Sequence, residues 1–291
     1  MRMQYYNEKK INVTPKDDYV FKKIFGTKGN EEILQSFLEA LLDIKINSLK
    51  LDLNTEILPD YYNEKMSRLD VLARLDDGTL VDIEIQVDAT GYSEKRCLQY
   101  WSKLYTKEIE KGQDYTELKK TIGIWIVDGS IYKEFEEFES TWKIREEKYG
   151  IIGHFKDFEI HVIELKKFRE CATIKPKKKE FWLWFIDHTN RRMLEMGMSY
   201  EEKIEKAYEE YMRITSDKQM MTEIINRQMY EQDQTAARNR AIKEGMEKGI
   251  EKGMKKAQKE TAKKLLKLKM DIEQIMEITE LSREEIEALD E

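Results

Sequence analysis

The sequence predicts an α/β fold: a mixed sheet of about four strands flanked by helices, with a long helical C-terminal extension. Three observations point there. Residues 69–87 hold two runs of alternating apolar and polar residues on either side of Asp76-Asp77-Gly78, the pattern of a β-hairpin. Thr121 to Val127 (TIGIWIV) is an apolar run of strand length, as a strand covered on both faces requires. After Asn190 the chain becomes polar and helical in period almost throughout.

In chain order, Asp17 to Phe25 reads as a short helix with Phe21, Ile24 and Phe25 on one face. Lys28-Gly29-Asn30 breaks it, and Asn30 is placed to cap a second helix carrying Ile33, Leu34, Phe37, Leu38, Leu41 and Leu42 at helical spacing. Strand signals begin near Leu49, and the hairpin follows. A polar and aromatic helix is expected over about 93–111, a shorter strand over Ile160 to Leu165, and a helix at the WLWF run, 182–185. These divide the chain into a core at 15–190, a helical extension at 191–235 and a tail at 236–291. In the tail, KEGMEKGIEKGMKKA sets Gly245, Gly249 and Gly253 four residues apart beside Met246, Ile250 and Met254. Helix-interior glycine is unfavourable by about 1 kcal/mol relative to alanine, so a register of three suggests close helix approach, with self-association or partner binding through a helical 236–291; a flexible charged tether is the other reading. Asp271 and Ser282 are placed as N-caps of two short helices, with Gln274 and Glu285 at the positions that close capping boxes.

Composition narrows the function. Hydrophobic residues at 40% suffice for a core, whereas charged residues at 37% demand much solvated helix. No apolar run approaches the length of a membrane span, and MRMQYYNEKK lacks the apolar stretch of a signal peptide, so a cytoplasmic protein is expected. Cys97 and Cys171 fall in no metal or redox spacing, and His154, His161 and His188 form no ligand pair. There is no GxSxG elbow and no glycine-rich phosphate loop after a strand, which argues against a serine hydrolase and a nucleotide cofactor. Carboxylates, lysines and arginines remain to build a site. The net charge of -7 hides a dipolar tail, with 12 basic against 4 acidic residues over 236–270 and 1 against 9 over 271–291.

The hairpin offers the chemistry. Matching its apolar faces through a three-residue turn, with Gly78 in the left-handed position, opposes Asp70 to Glu84 and Arg68 to Gln86. Directly opposed side chains have Cβ atoms about 4.5–5.5 Å apart, so the two carboxylates repel unless a divalent cation lies between them. On that reasoning Asp70→Asn raises the melting temperature of the metal-free protein. Magnesium suits such a pair because it needs only one or two carboxylates and keeps waters for a phosphate. The same alternation also describes a solvent-facing polar side on which Arg68 and Arg74 offset the acids.

The spacing Asp70-x13-Glu84-x-Gln86 on strand, turn and strand resembles the active-site hairpin of the PD-(D/E)xK nuclease superfamily. DYVFKKIFG at 18–26, DGTLVDIEIQ at 77–86, the helix bearing Arg96, Tyr100, Trp101 and Tyr105, and the Gly112 to Tyr115 step resemble one branch of it. That branch is the recombination-promoting nuclease (Rpn) family, also labelled as transposases. The likeness covers roughly 15–170, and the glycine repeat resembles the family's tail. The resemblance implies a PD-(D/E)xK core and a Mg²⁺-dependent DNA endonuclease, Mn²⁺ serving as a substitute. Carried over by position, it implies Asp70 and Glu84 as metal ligands and Gln86 where most of the superfamily has lysine. A glutamine amide only donates or accepts hydrogen bonds, so the cation must come from elsewhere. Arg96 is the first candidate and Lys22 the second. Asp18 is the candidate further acid, with Glu31 and Glu32 as rivals. Tyr100, Trp101 and Tyr105 could stack on bases or pack in the core. Two other readings stay open: a catalytically inactive DNA-binding or assembly module, and an RNase or toxin-like nuclease.

Overall fold

The computed structural model describes residues 13–52, 56–57, 67–87, 94–109, 112–151, 153–171 and 175–289. Helix α1 (Asp18–Phe25) starts at Asp17, whose carboxylate accepts the backbone N–H groups of Tyr19 and Val20. Asn30 stands at the N-cap of α2 (Glu31–Leu42) without capping it. Its amide donates backward to the Ile24 carbonyl at 2.8 Å, so it closes the end of α1 instead. Strands β1 (Leu49–Asp52), β2 (Glu56–Ile57), β3 (Ser67–Arg68), β4 (Val71–Leu75) and β5 (Leu80–Gln86) follow, then α3 (Glu94–Lys107). Next come β6 (Thr121–Val127), β7 (Glu139–Lys143), β8 (Phe158–Glu164), α4 (Leu165–Glu170), α5 (Lys178–Asp187), α6 (Arg191–Tyr200), α7 (Glu202–Ser216) and α8 (Lys218–Lys267). The short helices α9 (Ile272–Thr279) and α10 (Arg283–Glu287) close the chain.

The main sheet has six strands in the order β1-β4-β5-β6-β8-β7, two more than expected. β5, β6 and β8 run parallel, and the flanking pairs are antiparallel, giving the expected mixed sheet. Strand β7 (ESTWK) escapes sequence reading because it lies at the sheet's edge, where neither face needs an apolar run.

Both faces of the central strands are buried, so the alternative reading of a solvent-facing polar side on the hairpin does not hold. Val81, Ile83 and Ile85 join Ile122, Ile124, Ile126 and Ile163 beneath the aromatic cluster of Phe21, Phe25, Phe37, Trp182 and Phe185. On the other face Leu72, Leu80, Trp125, Val127 and Val162 pack with Cys97, Tyr100 and Leu104 of α3. Trp101 stacks on Tyr105, meets Phe158 edge-on, and donates its indole N–H to the Thr121 carbonyl. These rings fasten α3 to the sheet, which is the packing role.

The chain divides into two compact units, Met1–Ile224 and Ile225–Glu291. Leu194, Ile204, Ala207, Tyr211, Ile214 and Ile224 belong to the core of the first. In the second, Ala262, Ile275, Leu281 and Ile286 form a small core of their own. Ser282 and Glu285 close the expected capping box, whereas Asp271 caps the Glu273 N–H without Gln274. Among the described residues no helix is long and apolar enough to cross a membrane.

Candidate active site

The β4–β5 register pairs Val71 with Ile83 and Arg74 with Leu80, around a turn in which Gly78 has φ +87°. Continued by one residue, it sets Asp70 across from Glu84, as the sequence predicts. The regular ladder ends there. Ile85 N–H donates to Asp70 Oδ2 at 2.9 Å, and Asp70 N–H donates to Glu84 Oε1 at 3.0 Å. Two carboxylates thus replace two backbone acceptors, and the preceding chain leaves the sheet. Arg68 pairs with Glu56 in a separate two-stranded ribbon, not with Gln86 as expected.

Helix α1 brings Lys22 to this break. Its Nζ lies 2.7 Å from Asp70 Oδ1 and 3.7 Å from Asp18 Oδ2. Glycine suits the end of α1 at Gly26, where a Cβ would meet the Lys22 carbonyl at 2.9 Å. Helix α3 brings Arg96 from the other side. Its Nη1 donates to Gln86 Oε1 at 3.0 Å, and its Nη2 lies 3.5 Å from Glu84 Oε2. The guanidinium rests over Tyr100 and Trp125, 5.1 and 5.3 Å from the ring centroids, which fixes its plane.

All six sequence candidates, Asp18, Lys22, Asp70, Glu84, Gln86 and Arg96, therefore meet in one chain of contacts. The rivals do not: Glu31 accepts the Gly29 N–H, and Glu32 pairs with Lys203 and Lys206. Arg74 turns to Glu108 in a bidentate pair at 2.6 and 2.9 Å, so it does not offset the site's acids.

Sequence reading missed Asp82. It lies two residues before Glu84 on the same face, and both are only 2% exposed. Among the described residues Asp82 Oδ1 has no hydrogen-bond partner. Burial pushes the Asp82 carboxyl well above its ordinary range, helped by the Asp70 charge and opposed by Arg96. Burial does the same to Glu84, with the charges of Asp82 and Asp70 adding to it. For Asp70, burial outweighs the opposing Lys22 ammonium and Ile85 N–H. The signal was available in the alternation Asp82, Glu84, Gln86; its weight came only with the cover of α3.

Three acids crowded under low-dielectric cover favour positive charge. Lys22 and Arg96 supply part of it, each meeting an acid oxygen that the backbone bonds leave open. Among the described residues no group of three or more acidic, histidine or cysteine side chains is arranged around one metal position. Asp70 and Glu84, with the Gln86 amide oxygen nearby, are an all-oxygen donor set, and one or two carboxylates suffice for Mg²⁺. The donor chemistry of these residues fits a small divalent cation.

A search of curated proteins and a search of solved structures each returned no significant match. A family model described as PD-(D/E)XK nuclease family transposase matches residues 15–241. That span contains the six-stranded sheet, all six sequence candidates and Asp82. The chain belongs to the PD-(D/E)XK nuclease family of transposases.

Proposed function

We propose that this protein is a Mg²⁺-dependent endonuclease that hydrolyses phosphodiester bonds in DNA, with Mn²⁺ able to replace Mg²⁺. The observation that carries the proposal is the contact chain from half-exposed Lys22 through Asp70 and buried Glu84 to half-exposed Arg96, on a hairpin whose ladder gives way at the two acids. Asp70 and Glu84 hold the metal, and Asp18 serves as the further acid, acting beside Lys22. A divalent ion bound there supplies Lewis acidity at the phosphate and lowers the pKa of a water. Lys22 and Arg96 turn from the carboxylates to the phosphate oxygens, where each neutralises charge that grows in the transition state. Gln86 holds one edge of Arg96, and Tyr100 and Trp125 hold its face. In this way the site keeps a cation despite glutamine at the usual lysine position.

We assign the protein to the cytoplasm, in recombination, transposase-like or defence processes on DNA. We also assign self-association to the tail. Met246, Ile250 and Met254 are 67%, 64% and 60% exposed, and nothing lies within 4 Å of a Cβ built on Gly245, Gly249 or Gly253. The full chain, incubated with single- and double-stranded DNA and with RNA in Mg²⁺, Mn²⁺ or EDTA, tests the activity. The expected result is DNA cleavage that EDTA abolishes. Cleavage of RNA alone favours a ribonuclease, and DNA binding without cleavage in either metal favours an inactive binding module.

A further inference from the structure

Strand β7 ends the main sheet, and its outer edge meets no other strand among the described residues. The phase of that edge can be read. Glu164 N–H donates to the Phe138 carbonyl at 2.7 Å, in the same register that pairs Glu139 with Ile163. Hydrogen-bonded and non-hydrogen-bonded pairs alternate along an antiparallel ladder. Ser140 and Trp142 therefore direct their backbone groups to β8, and Glu139, Thr141 and Lys143 direct theirs outward.

We propose that this edge is an interface for a second copy of the same chain, with β7 pairing antiparallel to its own counterpart across a two-fold axis at Thr141. Three features select this occupant and this register. The outward groups of Thr141 face the same groups of the second copy's Thr141, and Glu139 faces the second copy's Lys143, all in hydrogen-bonding phase. Within the chain Glu139 pairs with Lys179 at 2.7 Å and Lys143 with Glu159 at 3.4 Å, so the contact across the axis adds a second partner to each, in both directions at once as an isologous contact requires. Beyond the strand, Glu137 on one side and Arg145 on the other repeat the same order of charges along the chain.

On one face of the strand, Trp142 is 43% exposed and Ile144 is 44% exposed. The register brings the two Trp142 side chains to diagonal positions about 7–8 Å apart, within reach of aromatic side chains. On the other face, a groove of about 710 Å³ lies beside Glu139, Thr141 and Lys143 and extends to Leu42 and Lys179. A two-fold contact of this kind makes one continuous sheet across the dimer and removes an open edge that otherwise invites unspecific pairing.

Site-specific crosslinking in the full chain tests the proposal. Thr141→Cys, in a Cys171→Ser background that leaves only the buried Cys97, brings two thiols together at the two-fold axis. The expected result is a covalent dimer with a short bis-maleimide, formed at least several-fold faster than by Lys28→Cys, an exposed control site. Equal, slow crosslinking of both variants overturns the proposal. Amide exchange in the unmodified chain gives a second readout that needs no substitution. The outward N–H groups of Thr141 and Lys143 are expected to gain protection as concentration rises, while amides of the turn at 147–149 do not. Fast exchange of both at every concentration overturns the proposal as well.

Discussion

Replacing Asp70 by alanine and by asparagine separates two roles of one carboxylate. Its Oδ2 accepts the Ile85 N–H at 2.9 Å, and its Oδ1 pairs with Lys22 at 2.7 Å. Asp70→Asn keeps an acceptor for Ile85 and loses the charge, while Asp70→Ala loses both. Both variants relieve the same repulsion from Glu84 and Asp82, so the difference between them isolates the Ile85 bond. An unsatisfied buried N–H is unfavourable by about 1–3 kcal/mol. The alanine variant is therefore expected to be less stable than the asparagine variant by about 1.5 kcal/mol. In a unit of this size that is roughly 3–6 °C in melting temperature. All five tryptophans (101, 125, 142, 182 and 184) lie in the Met1–Ile224 unit, so tryptophan fluorescence follows its melting alone, here without metal. Relative to wild type, Asp70→Asn is expected within about 1 kcal/mol, because losing the Lys22 pair offsets the relief of repulsion. This replaces the sequence expectation that asparagine simply stabilises. Equal melting of the alanine and asparagine variants would refute the capping role of Asp70.

Other consequences can be measured separately. His161 lies 2.7 Å from Glu159 and 3.7 Å from Glu139; burial lowers its pKa, but the two acids outweigh burial and the net shift is upward. Its contribution to stability is thus complete below about pH 6.5 and lost as pH rises through the folded value, and denaturant midpoints of His161→Gln are expected to lack that step. The Glu159 carboxyl is lowered from 4.5 to about 2, chiefly by the His161 hydrogen bond, with burial opposing and Lys120 assisting. Its contribution is present above 4.5 and lost as pH falls toward 2, so Glu159→Gln is expected to flatten the acid limb of the same titration. Arg96→Met is expected to lower DNA cleavage by about 10²–10³-fold while binding persists. Gln86→Lys alone sets a second cation against Arg96, so it is expected to help only in the Arg96→Met background, as paired cleavage rates will show. Alanine at Gly245, Gly249 and Gly253 together is expected to raise tail helicity in circular dichroism, by about 1 kcal/mol per site, and to lower the mass seen by light scattering. An unchanged mass argues against association through the glycine stripe.

Much of the site was legible because its residues obey local rules. The two-residue period of the hairpin and the three-residue turn fix which side chains face one another, so the opposition of Asp70 and Glu84 follows from register alone. The places of Lys22 and Arg96 came from the family resemblance, because no local pattern says which helix face meets a sheet. Asp82 was hidden for a related reason. Alternation puts it beside Glu84, but its burial depends on α3 and Trp125, which are 12 and 43 residues or more further along the chain. The departure of Arg68 from the hairpin was equally invisible, since it follows from side chains taking over backbone bonds at Asp70 and Ile85. Strand β7 failed for lack of apolar pattern, and Asn30 was read as capping the helix after it when its amide closes the helix before it.

The central claim is that Asp70 and Glu84 hold a divalent ion that makes this hairpin a nuclease. It is tested most directly by the rate at which wild type, Asp70→Asn and Glu84→Gln cut duplex DNA across a Mg²⁺ titration, with Mn²⁺ binding to the same three proteins followed by calorimetry. The account predicts metal-dependent cutting and Mn²⁺ binding by wild type, and loss of both in each variant while tryptophan fluorescence still reports a folded unit. Variants that bind Mn²⁺ and cut DNA as wild type does, or a folded wild type that binds no metal and cuts nothing, would contradict it.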